Sequence, residues 1–360
     1  MKLKNIGIEG IVGLGLVIFL TTFPLYASDF RIELMNKFIG FIIFAIALDL
    51  IWGYTGLLSL GNAVFFGIGG YMLALSYTFQ NGVPNFMSRF DINEIPVFMK
   101  PLESTPIAFA LGLILPALVA AIIGFFIFKG KVSGVYFAII TLALAKLFEL
   151  VVTDFQVYTG GFNGLMGLPH FPIFGQEMSI YSYYYFVLLI TIAVYLFARW
   201  LTRSHFGKVI KAIRENESRI SFLSYNTPNF KIIIFTISGF LSGLAGMLYV
   251  PVNGFFSPQD VGVGMSTILV VWLAIGGRGT LMGAAIGSLT VNWLSNLISE
   301  QFPTFWQLFI GSIIVLVVLF LPDGIYGSLQ KWWDNRAIKN HSKNNKKTFI
   351  SLLEKVKKVT

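Results

Sequence analysis

Residues 38–79 read FIGFIIFAIALDLIWGYTGLLSLGNAVFFGIGGYMLALSYTF: two apolar runs parted by a glycine-rich string that follows a single carboxylate, Asp49. The second run, 60–79, is near the twenty residues a spanning helix needs, whereas the first, 38–52, is short and ends in the string. A short apolar run closing on glycines predicts a broken or re-entrant helix. Backbone groups freed at such a break are tolerated at membrane depth only in protein contact or beside a water-filled cavity.

The same pattern extends along the chain, with apolar runs at 6–27, 105–128, 134–153, 181–201, 232–251, 265–275, 281–298 and 305–321. The run 265–275 is also short and leads into Gly276, Gly277, Gly279 and Gly283. The count is ten spans, with eight to eleven plausible. At 56% hydrophobic and 12% charged residues, the chain has about half the charge of a soluble domain, which excludes a water-soluble globule. The expected fold is an all-α integral membrane protein, a polytopic helical bundle with some segments broken at glycine strings. Its 36 Phe and 36 Gly suit lipid-facing helices whose backbones approach closely.

The net charge of +9 raises the question of nucleic acid, and its placement answers it. Threading the spans with the N-terminus inside puts 21 of the 26 Lys and Arg on one side; the other receives Arg31, Lys37, Arg89 and Lys100, and Lys146 lies in a span. That asymmetry is the positive-inside signature, so both termini are expected in the cytoplasm and nucleic acid loses its support. Further spans follow the first apolar run, which is therefore not expected to be a cleaved signal peptide. The expected organisation is a transmembrane domain over 1–329, with external loops at 81–104 and 154–179 and an internal loop at 202–231, then a basic cytoplasmic tail over 330–360. The tail ends either in a surface-lying helix, with Phe349, Leu352, Leu353 and Val356 opposite Lys355 and Lys358, or as a solvated segment.

Several chemistries are excluded. With no Cys, and with His170, His205 and His341 in separate polar segments, thiolate chemistry and a multi-His metal centre are not expected. The acids are scattered, which opposes an intramembrane enzyme. No GxxxxGK[ST] occurs, so any energy from ATP must come through a partner. The stretch SHFGKVIKAIRENE, 204–217, predicts a short helix with Lys211/Glu215 and Glu215/Arg219 at i,i+4. Its apolar face, Val209, Ile210 and Ile213, wants a groove on another protein or packs on neighbouring helix ends. Asp49 faces a cavity or a partner, or caps freed backbone N–H groups; Lys146 and Glu149, at i,i+3, pair most simply with each other. Arg278 reads as an interfacial anchor.

GKVIKAIRENE (207–217), followed by Asn226, Lys231 and the small-residue run SGFLSGLAG (238–246), resembles the coupling loop and next helix of the branched-chain amino acid and urea family of ABC permeases. LDLIWGYTGLLSLG (48–61) and WLAIGGRGTLMG (272–283) extend the resemblance toward the urea branch and its second permease subunit. Tyr249-Val250-Pro251, Val291-Asn292-Trp293, Pro303, Trp306, Leu321-Pro322-Asp323-Gly324 and the external pieces 84–87 and 94–96 do the same. It covers about residues 40 to 328. Asn62 departs from the usual His, Asp49 stands where the amino acid branch more often has Asn, and Lys146 with Glu149 replaces an acid followed by a base.

The resemblance implies a permease subunit in a bacterial plasma membrane, importing urea by alternating access, with a branched-chain amino acid as the alternative cargo. It implies two cytoplasmic subunits that bind the ATP and Mg, a related second permease forming a heterodimer, and an extracytoplasmic solute-binding protein. This chain would bind no cofactor and would not be an enzyme itself; a passive channel would leave the coupling loop without a use. Lys208, Lys211, Ala212, Ile213, Arg214, Glu215, Asn216 and Glu217 would couple to the ATPases. Asp49, Gly53, Tyr54, Gly56, Ser59, Asn62, Asn163, Gly276 and Gly277 would line the cargo pathway. For urea, with four N–H donors and one acceptor, a carboxylate or bare carbonyls would meet the amides, and Asn163, Asn253 or Asn292 the oxygen.

Overall fold

The computed structural model describes residues 8–303 apart from 133, 170, 171, 174 and 175, together with 308, 311, 312, 315, 324–330 and 333. The expected last span, 305–321, and the basic tail lie, but for scattered positions, outside the described residues.

The longer helices are α1 (Ile8–Thr22), α2 (Asp29–Thr55), α3 (Asn62–Phe79), α4 (Thr105–Lys129), α5 (Val135–Asp154), α6 (Ile180–Arg203), α7 (His205–Phe222), α8 (Thr227–Asn253), α9 (Val263–Gly276) and α10 (Leu281–Gln301). Of these, α2, α4, α5, α6, α8 and α10 are long and apolar enough to cross a membrane, while α1 and α9 belong to shorter apolar stretches. The chain is thus a multi-pass, all-α membrane protein.

Two expectations need correction. The run 38–52 is not a short helix: α2 is 27 residues long and starts nine residues earlier, at Asp29. Hydropathy marks the hydrocarbon layer, but the helical ladder continues through Arg31, Glu33, Asn36 and Lys37, and the acidic first turn suits a helix N-terminus. The internal stretch 202–231 is likewise almost entirely helical. There α6 runs on to Arg203, Ser204 caps α7 by accepting from Gly207 N, and α8 starts at Thr227 with Pro228 in its first turn.

Helices α2 and α8 form the centre. α2 packs on α6, α8 and α10; α8 packs on α2, α3 and α4. The run 238–246 explains the closeness of these crossings. A Cβ at Gly239 would meet Ala120 and the Pro116 carbonyl, one at Gly243 would meet Pro116, and one at Gly246 would overlap the Phe66 carbonyl. Small residues there let backbones touch, which is how helices associate when lipid is as apolar as their side chains. Aromatic rings fill the space above, Phe41 with Trp272 and Phe44 with Phe66, each 4.8 Å between centroids. α9 and α10 form a hairpin in which a Cβ at Gly276 would strike the Gly283 carbonyl and one at Gly287 the Trp272 carbonyl.

Candidate functional site

A helix leaves its last carbonyls without intrahelical partners, and its C-terminus attracts cations. α2 ends on Gly56 in the left-handed region (φ 78°), whose N–H donates to Trp52 O. The Gly53 carbonyl accepts instead from Arg214 Nη1 of α7 at 2.6 Å. Lys211 Nζ lies 5.0 Å from the Tyr54 ring centroid, and Arg278 lies 5.7 Å from that of Trp52. Three cations from two elements therefore gather on one helix end.

The same end carries the carboxylate. Asp49 is fully buried, and its Oδ1 accepts from Gly279 N at 2.6 Å. Gly279 (φ 77°) sits in the break between α9 and α10, where Gly277 is also left-handed and its carbonyl accepts from Thr280 Oγ1. Asp49 Oδ2 has no hydrogen-bond partner within the described chain. A Cβ on Gly53 would overlap both Asp49 Oδ1 and Gly279 N, so glycine is required for the three segments to meet. The stretches 48–61, 207–217 and 272–283, far apart in sequence, thus converge at one point. Of the alternatives for Asp49, the geometry realises the cap, on the break of a neighbouring hairpin.

Helix α7 settles one alternative and departs from expectation in its ion pairing. Val209, Ile210 and Ile213 are buried against their own chain, so the apolar face is not open to a partner; the surface left outward includes Lys208, Lys211, Arg214, Glu215 and Asn216. Glu215 pairs with adjacent Arg214 at 2.9 Å and not with Lys211 or Arg219 at i,i+4. The guanidinium reaching for Gly53 O brings it beside that carboxylate. Asn216 leaves the helical region (φ −160°, ψ 96°), and its Oδ1 accepts from Arg219 N, capping a second short segment. Just beyond this kink Glu217 Oε1 meets Lys231 Nζ at 2.6 Å and Thr227 Oγ1 at 3.0 Å, both on α8. α7 is therefore fastened to α2 before the kink and to α8 after it. Ala212 is half-buried in the first segment. Burial first, then Arg214 and Arg203, lowers the Lys211 pKa from its ordinary value.

The string after α2 is held by hydroxyls. Leu60 N donates to Thr141 Oγ1, Ala63 N to Ser266 Oγ, and buried Asn62 Nδ2 to Ser238 Oγ, which itself donates to the Ala47 carbonyl. Ser59 is buried and accepts from Gly61 N. Thr141, Ser238 and Ser266 were not legible as site residues: single hydroxyls in apolar runs look like spacers until the unwound segment 56–61 is laid against them.

Asn163 is not brought to this cluster. It is exposed on the turn Gly161–Asn163, and the following Leu165–Met166 pairs with Phe255–Phe256 beyond the far end of α8. At that end Lys37 Nζ donates to Asn253 Oδ1, and Lys37 is twelve residues, about 18 Å of helix, from Asp49. Asn292 donates within its own helix to Ser288 O. Lys146 and Glu149 pair at 2.8 Å, as expected.

The described residues thus form a multi-pass helical bundle in which α7 bonds to the end of α2 and α2 in turn holds the break between α9 and α10, the framework of a membrane transport subunit. The chain belongs to the family described as branched-chain amino acid transport system, permease component, which matches residues 30–318. The high-affinity branched-chain amino acid transport system permease protein LivM of Salmonella typhimurium is 24% identical over 87% of this chain and 73% of its own length. The Escherichia coli protein of the same name is 23% identical over 86% and 73%. The ribose import permease protein RbsC of Haemophilus influenzae is 26% identical over 65% and 71%. No solved structure matches the chain. It is an ABC-importer permease subunit.

Proposed function

We propose that this permease imports a small nitrogenous solute across a bacterial plasma membrane, driven by two cytoplasmic ATPase subunits that act on α7. Both termini then lie in the cytoplasm, a related second permease completes the pathway, and an extracytoplasmic receptor delivers the cargo. The carrying observation is the pair of 2.6 Å contacts, Arg214 to the Gly53 carbonyl and Gly279 N–H to Asp49. Through them a displacement of α7 reaches the end of α2 and the α9–α10 break without an intervening flexible segment. Alternating access follows when these two breaks exchange the side to which they open.

Urea is the cargo favoured by the form of 48–61 and 272–283, with Asp49 and the bare carbonyls of the breaks as acceptors for its amides. The named relatives favour a branched-chain amino acid equally. Uptake of labelled urea against labelled leucine in cells carrying the whole transporter decides between them. The lever is tested separately. Arg214→Ala with Glu215→Ala is expected to cut uptake at least tenfold while leaving the protein in the membrane. Undiminished uptake would remove α7 as the point where ATP hydrolysis enters.

A further inference from the structure

The Lys146–Glu149 pair on α5 has no part in the lever. Its atoms are 2.8 Å apart and its side chains are 54% and 26% exposed. They occupy the twelfth and fifteenth positions of a twenty-residue apolar helix, about 17–21 Å along it and so inside the hydrocarbon layer of the bilayer. α5 is also the least enclosed candidate span, with 28% of its apolar window buried. Ile139, Ala143, Lys146 and Leu150, spaced i, i+4, i+7 and i+11, form one exposed stripe. Gly262 leaves no room for a Cβ against Glu149 Oε2, so the carboxylate leans toward the start of α9 and Lys146 is the outward group. An ammonium has three N–H donors, of which Glu149 takes one. Hydrocarbon supplies no acceptor for the others.

We propose that this stripe is the seam against a membrane-spanning helix of a second permease subunit, which presents a carboxylate, amide or bared backbone carbonyl to Lys146. Ile139, Ala143 and Leu150 supply the packing surface, and the buried charge fixes the depth at which the helices register. A water-filled cargo path is the poorer occupant, because Ile139, Ile140, Leu147 and Leu150 around the pair are all apolar and exposed. The inference rests on the permease reading but on neither the cargo nor the coupling helix.

The chain has no Cys, so single cysteines are unique reporters. Ala143→Cys and Leu150→Cys test the stripe, and Leu189→Cys, on the exposed side of α6, is the control. The introduced thiol is alkylated with a benzophenone maleimide, whose photo-excited carbonyl inserts into a neighbouring C–H bond and so needs no cysteine on the partner, and irradiation is done in membranes of cells making the complete transporter. The expected product from 143 and 150, but not 189, is a covalent dimer with a different polytopic protein. Its linked peptide should come from a spanning segment with an acceptor side chain or a glycine break. Lys146→Met should cut that yield at least tenfold and Lys146→Arg should restore it. Should Lys146→Met fail to accumulate, Lys146→Gln with Glu149→Gln leaves no lone charge and should show the same loss. Equal yields from all three cysteine variants, a dimer with a second copy of this chain, or labelling of the Ala143→Cys protein by a membrane-impermeant maleimide would each overturn the proposal. Loss of the ATPases from a preparation that still forms the dimer would count against the coupling reading alone.

Discussion

α2 and α5 have nearly the same mean hydropathy over their most apolar windows, 2.0 and 2.1, yet 89% of one window is buried within the chain and 28% of the other. Each also carries charge inside its span. In α2 the charge is Asp49, enclosed and bonded to a neighbouring break; in α5 it is an ion pair turned outward. Apolar composition therefore reports the solvent of a helix and not its neighbours. What distinguishes the two is glycine: Gly53 in α2 admits a second backbone, whereas the α5 stripe is built from full side chains.

The sharpest way to break this contrast is to add volume to each. Gly53→Leu would drive a side chain into Asp49 and Gly279 N, and we expect the protein to fail to accumulate in the membrane, read by immunoblot of membrane fractions. Ala143→Leu on α5 should leave the monomer's melting temperature in detergent unchanged. A well-folded Gly53→Leu protein would mean that the three segments do not meet as described.

Next come the buried polar links. Lys231 is almost fully buried while Glu217 is 40% exposed, so the two ends of that bridge are not equivalent. Glu217→Ala strands a buried ammonium and should cost about 3 kcal/mol, whereas Lys231→Met leaves a carboxylate that water can reach and should cost about 1 kcal/mol. Detergent melting curves of the two variants test the order. Asp49→Ala orphans the Gly279 N–H and should cost about 1–3 kcal/mol, while Asp49→Asn keeps an acceptor and should hold most of the stability. If Asn lowers uptake with assembly intact, the carboxylate meets cargo as well as the break; unchanged uptake kinetics would leave it the cap alone.

The smallest effect is at Lys211. Its lowered pKa means that the folded chain sheds this proton before the unfolded one, so stability rises with pH in the interval below the ordinary value of 10.5. Lys211→Gln should flatten that rise and, by removing a penalty that is complete below both pKa values, leave stability at neutral pH unchanged or slightly higher. A large loss at pH 7 would show that the ammonium over Tyr54 holds α7 in place.

Much of this arrangement is legible in the amino-acid sequence. Among the described residues, the spans other than 38–52 fell close to their helices because hydrocarbon sets both their length and their composition; 305–321 lies outside them. The short helix expected over 204–217 is present up to the kink at Asn216, although the i,i+4 pairs expected on it do not form. Burial of Val209, Ile210 and Ile213 was one of two readings, since a stripe of three aliphatics has no address; only the closeness of the α6 and α8 ends supplied one. The link between Asp49 and Gly279 spans 230 residues and leaves no periodic trace. The pairing of Glu215 with Arg214 depended on where Arg214 was already committed, which local spacing does not contain.

The glycine contacts between α9 and α10 carry a mechanical consequence. With Gly276 seated on Gly283 and Gly287 on Trp272, the limbs of the hairpin touch backbone to backbone beside its turn, so spreading them there would break contacts that no side chain could refill. If the permease works as proposed, the hairpin is expected to move as one oar, with the gap for a solute opening along its flank.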